Sequence, residues 1–573
     1  MLKLIVFTFV VVLATASFAR AQSRPGSVRL TPQPYQAGRS VVMAPHGMVA
    51  TSQPLAAQVG LDLLRKGGSA VDAAIAANAA LGLVEPMSCG IGGDLFAIVW
   101  DAKTQKLHGL NASGRSPYAT SIKHFVDQGL KYIPETGPLS WSVPGCVSGW
   151  EELHKKFGRL PMNDVLMPTI LYAEQGFPVS ELIAGSWKGS AKEMLKIADS
   201  AKVYYPGGKA PKAGDIFKNS ALARAYREIA KEGAAAYYKG RIAREIVAYS
   251  KEHGGLFTAK DFTDHTSTWV EPVSTTYRGV QIWELPPPGQ GIAVLEMLNI
   301  LEGYDLKKMG PLSADYWHLF VEAKKLAYAD RARFYADPDF AKLPTAELIS
   351  KSYGDARRKL IDMERARTDH PAGDPKLGHG DTVYLCVVDK DRNCVSLIQS
   401  NFSGFGSRHA PAELGFALQN RGSLFALDAK HLNGLVPHKR PFHTIIPAMA
   451  TKDGKPWLVF GVMGGDMQAQ GHVQVLVNMI DFGMNVQEAG EAPRVEHIGS
   501  PTPTGKPGDK KGGTIQAERG IPAAVISDLT RRGHQVKGVN ANGGGYQAIM
   551  IDPQTGMLHG GSEYRKDGAA VGY

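Results

Sequence analysis

Thr382 and Ser400 each carry a hydroxyl and stand at the open end of one hairpin-forming stretch, so the first chemistry to weigh is nucleophilic. Residues 379–393 read HGDTVYLCVVDKDRN, an apolar run of the kind found in buried strands, with Gly380, Asp381 and Thr382 at its mouth. The turn-forming DKDRN, Asp389 to Asn393, separates this run from the next, and the two should pair as antiparallel strands. If the loop is symmetric, Val388 faces Cys394, Cys386 faces Ser396 and Thr382 faces Ser400, with cross-strand neighbours about 5 Å apart. A Thr hydroxyl attacks well only beside a base, and its own α-amine can serve if the chain is cut immediately before it. Gly380 ahead of Asp381 gives the backbone freedom for Thr382 Oγ to attack the preceding carbonyl, shift the acyl group from N to O, and leave an ester for water. The same residues can also be read as an ordinary turn and strand start, since Thr is a good strand former.

Other residue types point less sharply. Four cysteines, Cys89, Cys146, Cys386 and Cys394, could form two bridges in three ways. The hairpin register argues against a Cys386–Cys394 bridge, and none of the four sits at metal-ligand spacing. The turn GIGGD, Gly90 to Asp94, follows a helix and precedes a strand, the reverse of a dinucleotide site. Gly90, Gly92 and Gly93 are therefore expected to serve close backbone packing. No metal or organic cofactor is implied. Lysines and arginines are scattered without an aromatic-interleaved stripe, so a pI of about 9.1 fits a mildly cationic surface better than a nucleic-acid face.

Several elements must position these residues. Gln53 to Lys66 has helical apolar spacing, with Ser52 as candidate cap and Gly67-Gly68 as the stop. Ser69 should cap the Ala-rich helix that runs into the glycine turn. Residues 150–365 read as helix-rich, with Ser313 capping a helix whose Tyr316, Leu319, Phe320, Ala323 and Ala327 recur at core spacing. Residues 371–381 read as a polar connector, and 499–513 as an exposed loop. The first 21 residues have Lys3, an apolar run from Leu4 to about Phe18, and the small-residue site Ala19-Arg20-Ala21, the layout of a secretory signal. Its removal lowers the formal charge from +10 to +8 and predicts a secreted or periplasmic protein without stable membrane insertion; the alternative is an uncleaved anchor.

Longer segments then carry a family likeness. GMVATSQPLAAQVGLDLLRKGGSAVDAAIAANAALGLVEPMSCGIGGDLF, SWSVPGCVSGWEELHKKFGRLP, PPPGQGIAVLEMLNILEGYDL, HGDTVYLCVVD, HKRPFH and FGVMGGDMQAQGH occur in that order and resemble the γ-glutamyltransferase family. The resemblance implies an N-terminal-nucleophile hydrolase with a four-layer αββα sandwich. It also implies a precursor that cuts itself between Asp381 and Thr382 into a large chain, 22–381, and a small chain, 382–573, sharing one core. Thr382 matches the family nucleophile, and Ser400 falls where the family has an activating Thr. Gly464 and Gly465 match the glycine pair whose N–H groups hold the oxyanion; read without the family, they make a tight turn.

Departures from the family pattern bear on the substrate. Ser113 stands where the family has the Arg that binds the substrate α-carboxylate, with Arg115 two places on. Leu424 replaces the acidic residue for the α-amino group, Arg421 replaces a Gln, His443 and Thr444 replace paired serines, and Phe402 replaces an Asn. Between Asp428 and Pro441 the chain looks too short for the flap that covers the site in some members. An ammonium facing Leu has lost its partner, whereas Arg421, with Arg115, could pair with an acyl carboxylate that lacks the amine, as in a glutaryl group. Structural salt bridges are the alternative for both arginines, and His443 could serve as a hydrogen-bonding residue behind the substrate. The expected function is hydrolysis or transfer of a small-molecule γ-glutamyl or glutaryl-type amide. The alternatives are a genuine glutathione hydrolase with altered head-group contacts, and an extracellular binding protein that has kept the fold and lost the chemistry.

Overall fold

In the computed structural model, residues 37–368, 381–540 and 544–573 are described. The leader, Gly380 and most of the connector ahead of Thr382 lie outside them. In chain order the strands are β1 (Val42–Ala44), β2 (Met48–Thr51), β3 (Asp94–Asp101), β4 (Lys106–Ala112), β5 (Phe177–Pro178), β6 (Ile216–Phe217), β7 (Thr268–Val270), β8 (Val273–Tyr277), β9 (Val280–Glu284), β10 (Asp381–Val388), β11 (Cys394–Phe402), β12 (Ala448–Lys452), β13 (Lys455–Val462), β14 (Val495–Ile498), β15 (Thr514–Glu518), β16 (Gln535–Val539), β17 (Tyr546–Ile551), β18 (Leu558–Ser562) and β19 (Ala569–Gly572). Two seven-stranded antiparallel sheets dominate, one in the order β19-β2-β10-β11-β3-β4-β7 and the other β1-β18-β17-β13-β12-β9-β8. β14, β15 and β16 form a smaller sheet, and β5 pairs with β6.

Alternation along the strands produces the layers. On β10, Val383, Leu385 and Val387 enter a core built with the helices Pro54–Arg65, Ala70–Val84 and Cys146–Phe157. Their neighbours Tyr384, Cys386 and Val388 enter a second core between the two sheets, together with Met449, Val459 and Ile549 of the facing sheet. β10 is buried on both faces, which is why its run is continuously apolar. The helices Gly291–Leu301 and Met467–Ile480 cover the outer face of the second sheet, and Ala314–Phe334 packs on Gly291–Leu301. The architecture is an αββα sandwich.

Several local expectations hold. Ser69 caps Ala70–Val84 through a capping box with Asp72, and all fifteen residues of that helix are buried. Ser313 caps Ala314–Phe334. Gly92 and Gly93 serve close packing: a Cβ would lie 2.0 Å from Ala417 O at the first and 2.4 Å from Ser400 O at the second. One cap is corrected, because Gln53 accepts from Leu55 N while the Ser52 hydroxyl instead binds Glu85 at 2.7 Å. The helix-rich middle also contains β7, β8 and β9, which complete the edges of both large sheets. The four cysteines are buried and unbridged.

Candidate active site

The hairpin forms with the symmetric register from Val388–Cys394 back to Val383–Gln399; a bulge then sets Asp381 against Phe402. Thr382 sits in that bulge and is 1% exposed, and its hydroxyl donates to Ser400 Oγ at 3.1 Å. Ser400 Oγ also accepts the Phe402 N–H at 2.8 Å. Phe402 is held at φ +79, a left-handed conformation unusual for a bulky residue, and such outliers cluster at sites under functional constraint.

The neighbouring strand adds a residue that spacing alone did not single out. Ser400 lies opposite Asp94 of β3. By strand alternation Ser400 and Asp94 share the inter-sheet face with Tyr384, Ile398 and Phe96. Asp94 Oδ1 accepts from Gly114 N, Gly145 N and Gln419 Nε2, each at 3.0 Å, and Oδ2 meets His443 Nε2 at 2.8 Å. His443 Nδ1 meets Pro441 O at 2.8 Å, and its ring stacks on Phe96. Burial pushes the His443 imidazole down from its ordinary value, while the hydrogen bond to Asp94 pulls it up.

Gly464 and Gly465 form the turn from β13 into the helix Met467–Ile480, at φ +114 and +58, conformations that glycine adopts without strain. Among the described residues neither N–H has a protein acceptor, and both lie at a helix N-terminus, where negative charge is favoured. The turn is tied to Thr444 by Gln290, whose Nε2 donates to Gly465 O at 2.9 Å and Thr444 O at 2.7 Å. Arg331 fixes that amide by donating to Gln290 Oε1 at 2.6 Å, and also pairs with Asp466 at 2.7 Å. Gln290 and Asp94 leave only short signals in the sequence: PPPGQG stands there as the start of a family-like segment, and GIGGD as a packing turn.

Arg421 is fully buried in a short 3-10 turn, Arg421–Leu424. Nη1 donates to Thr444 Oγ1 at 3.2 Å, and the guanidinium lies 5.2 Å from the Phe402 ring. Nε and Nη2 have no partner, and among the described residues no carboxylate forms an ion pair with Arg421. Burial pushes it down to about 10, opposed by Asp94. Arg115 is placed differently: it donates to Thr266 O at 3.2 Å and lies 3.8 Å from Asp339, a carboxylate shared with Arg440. The structure thus brings Thr382 to Ser400, Arg421 to Thr444, and Thr444 to Gly465, but directs the Arg115 side chain into a salt bridge. Residues 426–435 close on themselves through Ala426 N to Asn433 O and Leu435 N to Ala426 O, a compact turn.

This arrangement offers a hydroxyl nucleophile with a hydroxyl acceptor, a pair of unoccupied N–H donors, and a buried cation with spare donors. Among the described residues, no His/Cys/Asp/Glu group could hold a metal ion.

The Gamma-glutamyltranspeptidase family model matches residues 56–573. The chain is 37% identical over 532 residues to the Glutathione hydrolase-like YwrD proenzyme of Bacillus subtilis, covering 92% of this chain and 98% of that protein. It is 35% identical over 534 residues to the Acylase ACY 1 proenzyme of Pseudomonas sp. strain SE83, covering 92% and 93%. Cephalosporin acylase from Bacillus halodurans matches it structurally with a TM-score of 0.86 at 41% identity, covering 95% of this chain and 99% of that one.

Proposed function

The chain belongs to the gamma-glutamyltranspeptidase family, and from that premise we propose that it is a self-processing amide hydrolase whose acyl substrates end in a carboxylate. In the precursor, Thr382 Oγ attacks the Asp381 carbonyl carbon, the acyl group moves from N to O, and water hydrolyses the ester. This leaves a carboxylate on Asp381 and a free α-amine on Thr382. In turnover, Thr382 Oγ attacks the substrate amide while the α-amine takes its proton and passes it to the leaving amine. Ser400 orients the nucleophile, and the Gly464 and Gly465 N–H groups receive the oxyanion. Water, or an acceptor amine, then releases the acyl group.

The observation that carries the mechanism is the Thr382–Ser400 hydroxyl pair, 3.1 Å apart at the mouth of a buried strand. The acyl preference rests on Arg421, a buried guanidinium with two unused N–H groups, to which a carboxylate end could bind. Glutaryl-type amides meet that requirement, and Leu424 in place of an acid disfavours the extra ammonium of a γ-glutamyl group. The Glutathione hydrolase-like name of one relative keeps γ-glutamyl amides as the second reading. We place the mature enzyme outside the cytoplasm, on the strength of the leader.

Intact mass and N-terminal sequencing of the purified protein, beside a Thr382→Ala control, test the mechanism. Two fragments are expected, the smaller beginning Thr-Val-Tyr-Leu, with the control uncut. A folded but uncut parent would overturn it in favour of a binding protein. Hydrolysis of glutaryl-p-nitroanilide against γ-glutamyl-p-nitroanilide then separates the two acyl readings.

A further inference from the structure

The protons between His443 and its neighbours determine the charge beside Arg421. Pro441 O can only accept, so the 2.8 Å contact from His443 Nδ1 requires an N–H there. The 2.8 Å contact between His443 Nε2 and Asp94 Oδ2 requires a second proton, whether it rests on nitrogen or on oxygen. With two protons the His443–Asp94 pair has no net charge. Asp94 is occupied on its other oxygen as well, by Gly114 N, Gly145 N and Gln419 Nε2. Arg421 is then left as an uncompensated positive charge in a buried place.

We propose that His443 determines the acyl specificity of this site: by sharing a proton with Asp94 it cancels the pocket's carboxylate, so that the site favours acyl groups ending in a carboxylate and rejects those that also carry an ammonium. This deepens the proposed function and rests on its assignment of Arg421 to the acyl group. A lone carboxylate neutralises the pocket, whereas a carboxylate with an ammonium leaves it cationic and adds a second buried cation to desolvate. Specificity comes here from an internal pair that never touches the leaving group.

Two substitutions keep a hydrogen bond between the two positions, and only the first changes that charge. His443→Gln retains an N–H donor toward Asp94 but not the shared proton, so Asp94 becomes a full anion beside Arg421. Asp94→Asn keeps an oxygen for its three donors and offers an N–H to a neutral His443, so the pair stays uncharged. Calorimetric Kd values for glutarate and L-glutamate, measured on the processed enzyme, read the pocket directly. The parent and Asp94→Asn are expected to prefer glutarate, His443→Gln to lose about tenfold or more of that preference, and the double variant to regain it. A damaged fold would weaken both ligands together and would not be repaired by the second substitution. An unchanged preference in His443→Gln, no recovery in the double variant, or a parent that binds neither ligand overturns the proposal. If the parent binds with the expected preference but does not hydrolyse glutaryl-p-nitroanilide, the proposed function falls and the pocket assignment stands.

Discussion

On the proposed function, Arg421 would serve binding at the expense of stability. An isolated buried guanidinium has given up its hydration without gaining a counter-charge, and replacing such a group with an apolar one of similar size is often stabilising. Arg421→Met is therefore expected to raise folding stability by about 1–4 kcal/mol. The same change should raise KM for a glutaryl amide by about tenfold to a hundredfold, the worth of hydrogen bonds to a charged group. Denaturant titration and steady-state kinetics on one preparation check both signs; a variant that is less stable and equally active would return Arg421 to a structural role. Ser400→Ala removes the acceptor for the Thr382 hydroxyl. It should lower kcat by about a hundredfold or more with little change in KM. Gly464, Gly465 and Thr382 were legible in the sequence because family motifs run through them, and the Thr382–Ser400 pairing because the DKDRN turn fixes the hairpin register. Asp94 was not, since its meaning depends on lying opposite Ser400 on a strand some 300 residues away in the chain.

Between elements, a pair of histidines makes a pH-sensitive joint. His318, on Ala314–Phe334, and His534, ahead of β16, meet through Nδ1 and Nε2 at 2.8 Å. His318 Nε2 points at Asp362 O, 2.7 Å away, so its Nδ1 accepts and His534 donates, with both rings neutral. Burial pushes His534 down to about 2 and His318 down as well. Depressed folded-state values mean that the unfolded chain binds the extra protons. The contribution is therefore fully present above the unfolded value of about 6.5 and is lost as pH falls toward about 2. Each ring can cost up to ~1.4 kcal/mol per pH unit over its window. Urea unfolding at pH 7 and pH 5 should show a loss that shrinks in His534→Gln, which keeps a donor but cannot titrate. An equal loss in parent and variant would locate the acid sensitivity elsewhere. Element boundaries were legible where a cap or glycine stop was present, as at Ser69 and Ser313. β7 to β9 were not, because three- to five-residue strands embedded among helices are too short for periodicity to separate from loops.

On the scale of the whole molecule, the two chains that processing would create are interleaved. β10 and β11 lie between β2 on one side and β3 on the other, and in the facing sheet β12 pairs with β9. Separating 22–381 from 382–573 would break ladders in both sheets and open both cores. The processed protein should therefore elute as one species in native size exclusion, show two bands only after denaturation, and unfold in a single transition. Native separation of the fragments would contradict the shared core. The sandwich itself was readable from family likeness; the alternation of large-chain and small-chain strands was not, because nothing local in a strand states its neighbour.

The position of β19 links the sheet around Thr382 to a distant part of the chain. β2, the strand flanking β10, pairs on its other side with β19, and Tyr573 closes back on Gly47 through N–H to O at 3.0 Å. The strands that frame Thr382 thus include one, Ala569–Gly572, that lies far beyond it in the sequence. Without Ala569–Gly572, β2 has no partner on that side, so on the proposed mechanism deletion of β19 is expected to slow backbone scission before Thr382.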